Sequence, residues 1–335
     1  MVETKKNLSI ETLRGIAILL VVVGHVIGSG PSGGMKIDFP HPLRYLYLWI
    51  DYIQMPLFTS IAGWVYALKP FSATADFNTF VKKKALRLLV PMATVSTLYF
   101  LIQYFMPGTN NKGELSGIWR IYIFPYTIYW YLPSLFLIFV MQWWIDKWKG
   151  MNSTIQWILC LFVALLMCHM ERYIIPKAVP NFFSFKGALN QLPYFIIGIG
   201  VQRFSTIIYR RINQYVYVIC TLIGMVMLQY EWFGCMSGVL WYELLQPVWV
   251  LASLLLLLHL QWENRFFSWL GSYAYTIYLF HGFGTSGGRI ILKMIGINAI
   301  IPIFLLVTVI AVACPILLER LLNRFKILRI GLLGK

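Results

Sequence analysis

The stretch Ile10-Glu-Thr-Leu-Arg-Gly-Ile-Ala-Ile-Leu-Leu-Val-Val-Val-Gly-His25 opens as a polar helix entrance and becomes an apolar run. Arg14 stands near its start and His25 at its end, eleven residues apart. At about 100° per residue that spacing is roughly three turns plus 20°, so both side chains share one helical face. The rise between them is about 16 Å, near half the hydrocarbon thickness of a bilayer. The run therefore reads as a membrane span with a guanidinium at one rim and an imidazole well inside.

The rest of the chain has the same character. Of its 335 residues, 59% are hydrophobic and only 12% charged. Soluble domains carry about 25% charged residues, so this composition cannot cover a soluble surface. Ten apolar segments are expected, at roughly 9–29, 48–68, 86–106, 121–145, 152–170, 187–203, 214–231, 238–260, 266–284 and 297–318. The expectation is an all-α, polytopic integral membrane protein of about ten transmembrane helices. A single transmembrane domain over residues 1–335 is expected, with no soluble domain appended. Lys5-Lys6 and the run Ile16 to Val23 imitate a cleavable signal. Nine further segments and the polar pair within the first favour its retention.

The net charge of +16 reads as topology rather than as a nucleic-acid footprint, because Lys and Arg gather in cytoplasmic loops. With the N-terminus inside, eighteen Lys and Arg fall on the inner side and nine on the outer, Arg14 being the remaining one. That bias expects both termini to be cytoplasmic, with His25 toward the outer face and His281 at similar depth. The five cysteines (Cys160, Cys168, Cys220, Cys235, Cys314) form neither a CxxC pair nor a disulfide framework. They are given no redox or metal role, and no metal site is expected.

Ionisable side chains in a span are costly, so each is a functional candidate. His25 reads either as an acid, base or acyl relay or as a packed histidine bonded to a carbonyl. Arg14 faces a ligand or pairs with Glu11, three residues earlier. Lys84 and Arg87, at i and i+3, project side by side where a helix is expected to begin. Its free N–H groups and dipole would suit phosphate, and Pro91 would bend it. The competing reading is a topology signal alone. Ser272, Tyr275, Tyr278 and His281 recur every three residues, a polar stripe that lines a cavity or meets another helix. On the outer side Asp51, His169, Glu171 and Arg172 read as acceptor contacts or as ordinary loop residues. Glu319 is expected to pair with Arg320 or Arg324.

Together these stretches resemble acyltransferase family 3, the integral membrane O-acyltransferases of bacterial surface polysaccharides. The matching pieces are Leu13-Arg14-Gly15-Ile-Ala with His25, Met55-Pro56-Leu57-Phe58 leading to Ala62-Gly63, and Phe80 through Lys84, Arg87 and Pro91. Trp130-Tyr-Leu, Leu192-Pro-Tyr-Phe-Ile-Ile-Gly198 and Leu270-Gly-Ser-Tyr-Ala-Tyr-Thr-Ile-Tyr-Leu-Phe-His281 complete the ordered set. The resemblance implies a ten-helix core in the bacterial inner membrane. Acetyl-CoA would be the cytoplasmic donor, and the acceptor a sugar hydroxyl of a surface glycan, such as a lipopolysaccharide O-antigen, or its lipid-linked precursor. It implies His25 as the catalytic histidine and Arg14 as essential. It places an Arg-x-x-Arg donor motif on Lys84 and Arg87, with lysine replacing the first arginine and losing its bidentate fork. His281, a further catalytic candidate, would form a second wall, a tyrosine or serine of its stripe would stabilise the oxyanion, and Arg14 would join Lys84 and Arg87 in binding the donor. The rival class is a secondary transporter or exporter, with the buried histidines and arginines as a relay. The sequence shows no paired halves of the kind transporters carry.

Overall fold

The computed structural model describes residues 7–69, 76–110, 112–234 and 239–334; Lys5, Lys6, Cys235 and Lys335 lie outside them. Among the described residues the chain is helical, with no strand. The helices are α1 (Leu8–Ile27), α2 (Pro42–Ala67), α3 (Phe77–Phe105), α4 (Arg120–Ile123), α5 (Tyr131–Lys147), α6 (Thr154–His169) and α7 (Phe185–Arg203). They continue as α8 (Ser205–Ile208), α9 (Arg211–Trp232), α10 (Leu240–His259), α11 (Arg265–Ser272), α12 (Ala274–Met294), α13 (Ile300–Leu322) and α14 (Lys326–Leu333).

Seven stretches are long and apolar enough to cross a membrane: Leu8–Ile27, Phe77–Phe105, Leu115–Lys147, Thr154–Ile174, Arg211–Trp232, Leu240–His259 and Ile300–Leu322. The protein is an all-α polytopic membrane protein. The other three expected segments are helices too, α2, α7 and the α11–α12 rod. Their composition is less apolar for a physical reason. Helix α7 buries Gln191, Leu192 and an unbroken run through Val201 against other helices, so it needs no lipid-facing stripe. Helices α6 and α9 do the opposite. They expose Ile158, Leu159 and Phe162, and Val216, Ile219 and Leu222, as a lipid-compatible belt.

Three boundaries differ from the sequence expectation. Helix α3 starts nine residues before position 86, because the Asp76 side chain caps it by accepting the Thr79 N–H at 3.0 Å. The segment expected at 121–145 is interrupted: Phe124 is extended ahead of Pro125, and the continuous helix begins only at Tyr131. The segment expected at 266–284 breaks at Tyr273 (φ −100°, ψ 0°) and then runs on to Met294.

Two glycine crossings set the centre. A Cβ on Gly15 would overlap the carbonyl of Phe267, and one on Gly271 the carbonyl of Glu11. Helices α1 and α11 therefore touch backbone to backbone. Gly63 meets the carbonyl of Phe195, and Gly198 that of Ser60, fixing α2 on α7 in the same way. With α1 also packed on α2 and α12, Arg14 and His25 sit at the middle of the bundle.

Candidate active site

Asn7 starts α1 by accepting the Ile10 N–H at 3.1 Å. The helix ends at Gly28, whose φ of +88° turns the chain into the glycine-rich loop that follows. His25 lies in the last turn. Its ring faces that of His281 on α12, with centroids 5.0 Å apart and planes at 39°. His281 is fully buried. Its Nδ1 lies 2.8 Å from the Tyr278 carbonyl and 3.1 Å from that of Ile277. Both partners only accept, so Nδ1 carries the proton and Nε2 presents a lone pair. That Nε2 is buried with no hydrogen-bond partner among the described residues.

His25 lines a cavity of about 300 Å³ on the side where α1 ends. Ser29, Tyr99, Gln103, Asn110, Ser286 and Arg289 share its wall, and no carboxylate among the described residues does. Thr127 also lines it, with φ +41° and an Oγ1 that has no partner among the described residues. A β-branched residue held at positive φ is strained, and such strain clusters at functional sites.

At the other end of α1 the three cations gather, with one correction. Lys84 and Arg87 do not stand at a helix entrance. Because α3 begins at Phe77, their backbone N–H groups already lie within the helical ladder, and the dipole end is at Asp76. The side chains still project together. The Lys84 ammonium sits 3.4 Å from the Phe139 ring centroid and 5.6 Å from that of Phe80, a cation–π contact. Arg87 is exposed and acts electrostatically on Arg14. Arg14 does pair with Glu11, at 2.7 Å through one nitrogen, with 28% of its side chain still exposed.

Arg14 and His25 share a face as their spacing requires, yet Ile18 and Val21, on the line between them, are fully buried. Side chains fill that line. The polar stripe is engaged as well. The Tyr275 hydroxyl donates to the carbonyl of Arg87, and that of Tyr278 to the carbonyl of Ile128. Ser272 donates to Trp269 at 2.7 Å. These hydroxyls are occupied by backbone, which leaves the unpartnered Thr127 Oγ1 as the better-placed donor in the cavity. Glu319 is buried and accepts from Thr276 at 2.5 Å.

Of the outer candidates, Asp51 and Arg172 line a second cavity of about 530 Å³ with Glu231. Asp51 accepts from Tyr47 at 2.9 Å and Gln54 at 3.0 Å, and Arg172 donates to Gln246 at 2.5 Å. His169 stacks on Tyr173; neither it nor Glu171 lines that cavity. Two arginines, Arg44 and Arg289, entered the sequence reading only among the nine outer charges. Arg44 holds the loop after α1 by donating to the carbonyls of Ile37, Gly28 and Gly30, and Arg289 reaches the carbonyl of Gly34. The signal was the glycine-rich run itself, whose carbonyls have no ladder to join.

A family model described as an acyltransferase domain matches residues 7–320. The chain belongs to acyltransferase family 3. It is a multi-pass membrane acyltransferase. The match takes in Arg14, His25, Lys84, Arg87 and His281 and stops short of α14. No curated protein and no solved structure matches significantly. In this acyltransferase, family membership argues for the enzyme over the transporter.

Proposed function

We propose that this acyltransferase moves an acetyl group from cytoplasmic acetyl-CoA to a sugar hydroxyl on the far side of the bacterial inner membrane. The acceptor is a surface glycan, a lipopolysaccharide O-antigen being one such, or its lipid-linked precursor. The observation that carries the reading is His25, on the wall of a polar cavity and against His281, while the cations lie at the opposite end of the same helix.

At the cation end, Lys84 and Arg87 fit the phosphates of coenzyme A. Lys84 has no ion pair among the described residues, and Arg87 is exposed. Arg14 keeps donors beyond the one given to Glu11. Acetyl-CoA is a substrate here, and no metal is invoked. His25 takes the proton of the sugar hydroxyl as its oxygen attacks the acetyl carbonyl. The tetrahedral intermediate collapses with loss of the thiolate, which takes up a proton. The Thr127 hydroxyl is the candidate donor to the developing oxyanion. Because Ile18 and Val21 close the direct line, α1 must part from a neighbour for the thioester to reach His25.

Purified protein given acetyl-labelled acetyl-CoA and crude envelope glycan tests this. Labelled glycan is expected with the wild type and none with His25→Ala. Failure of the wild type to label any glycan would remove the acceptor from the proposal.

A further inference from the structure

Arg289 is a buried charge without an ion-pair partner among the described residues. It lies on α12 two turns beyond His281 and is only 6% exposed. One terminal nitrogen donates to the Gly34 carbonyl and the other to Asn110 Oδ1 at 2.9 Å, both neutral acceptors. A guanidinium has five N–H donors, so three remain. Among the described residues, no carboxylate lines the cavity it shares with His25. A neighbouring cavity that also touches Arg289 contains one, Asp38, which is exposed and forms no ion pair with it.

Two other arginines, the half-buried Arg203 and the buried Arg44, behave differently. Arg203 makes a bidentate pair with Asp146, both bonds 2.9 Å. Arg44 spends its Nε and both terminal nitrogens on three carbonyls of one loop, at 2.7, 2.5 and 2.5 Å. The first is a compensated charge and the second a backbone clamp. Arg289 is neither, and it faces a cavity wide enough for a ligand. A buried charge without an ion-pair partner is costly unless one arrives.

We propose that Arg289 binds an anionic group of the acceptor, a sugar carboxylate or a sugar phosphate. The inference rests on the glycan reading above and narrows it to acidic or phosphorylated glycans. Eight residues along α12 is about 12 Å from His281, so the anion is held beside the reacting hydroxyl rather than at it. A planar fork meeting two oxyanion oxygens fixes orientation as well as affinity, and so selects which hydroxyl reaches His25.

Calorimetric titration of the purified protein, without acyl donor, tests this with methyl β-glucoside, methyl β-glucuronide and glucose 1-phosphate. At least one anionic probe is expected to bind about tenfold or more tightly than the neutral glucoside, as a charge-assisted pair implies. Preference for the glucuronide identifies a carboxylate, and preference for the phosphate identifies a phosphorylated or lipid-linked acceptor. Arg289→Gln is expected to abolish the preference, and Asn110→Ala, which removes only a neutral partner, to keep it. Equal affinity for all three probes in the wild type, or an undiminished preference in Arg289→Gln, overturns the proposal. Should Arg289→Gln release the loop at Gly34 and fail to fold, the wild type is titrated again with coenzyme A filling the donor cations, and an anion preference lost under that condition overturns the proposal. Since binding is read without acyl transfer, a protein that prefers the anion yet acetylates no glycan defeats only the function proposed above. One that acetylates glycan but binds all three probes alike defeats only this inference.

Discussion

The Tyr275 hydroxyl donates to the carbonyl of Arg87, the acceptor that Pro91 leaves open. In an α-helix the N–H of residue 91 would bond to the carbonyl of residue 87, and proline has no N–H. Within a membrane an unpaired carbonyl is costly, and a neighbouring helix satisfies it. The first turn of α12 is thereby tied to α3 beside Lys84, and the same helix carries His281 two turns further on. One proline thus links the cation end of the site to the histidine end.

Tyr275→Phe removes that donor and keeps the ring. The loss of stability expected is about 0.5–1.5 kcal/mol, the net contribution of one hydrogen bond at a site open to solvent. A lower thermal unfolding midpoint in detergent is the check. The apparent KM for acetyl-CoA is expected to rise with kcat little altered, since the hydroxyl holds the helix that carries Arg87. An unchanged midpoint would mean that another donor serves the Arg87 carbonyl.

Much of this arrangement was legible in the sequence. The eleven-residue spacing put Arg14 and His25 on one face, and the three-residue rhythm at 272–281 ended on the histidine that meets His25. The start of α3 was misread because Phe77 to Ala85 is rich in lysine and looks like a loop on hydropathy. Its cap, Asp76 with Thr79 three residues on, was present in the sequence. The break at Tyr273 has no proline or glycine at its site and depends on how α11 docks under α1. Arg44 and Arg289 counted as outer charges because sequence gives a charge its sign but not its partner. Burial without a carboxylate appears only when the loop after α1 folds back over them.

Gly271→Ala places a methyl group on the carbonyl of Glu11. Since backbone meets backbone there, no side chain can rotate away, and a cost of at least about 1–3 kcal/mol is expected. The amount of folded protein in the membrane should fall. Gly287→Ala on α12 is the matched control, because a Cβ there meets nothing within 4 Å. It is expected to leave accumulation unchanged. Equal behaviour of the two variants would show that α1 and α11 do not need their close approach.

Lys84→Ala is expected to raise the KM for acetyl-CoA about 10–100-fold, the size of a lost charge-assisted contact. Lys84→Arg should restore most of it, since charge is kept and the fork improves. Initial rates at varied donor concentration separate this from a folding defect, which would lower the amount of active enzyme at every concentration. Donor affinity unaffected by Lys84→Ala would leave the cluster a topology signal.

The two histidines are expected to act as a unit. His281 holds its proton on Nδ1 against the Tyr278 and Ile277 carbonyls, so Nε2 can only accept. A buried acceptor beside His25 is suited to orient that ring and fix which nitrogen meets the hydroxyl. General-base assistance contributes about 10²–10⁴ in rate, so His25→Ala is expected to lower kcat by that factor while the protein still accumulates. His281→Ala should lower kcat through His25 alone. The double variant should then be no slower than His25→Ala, because orienting a base that is absent has no effect. Steady-state kcat for the four proteins gives the answer. If the two losses multiply, His281 acts on the reaction separately from His25, and the positioning role is wrong.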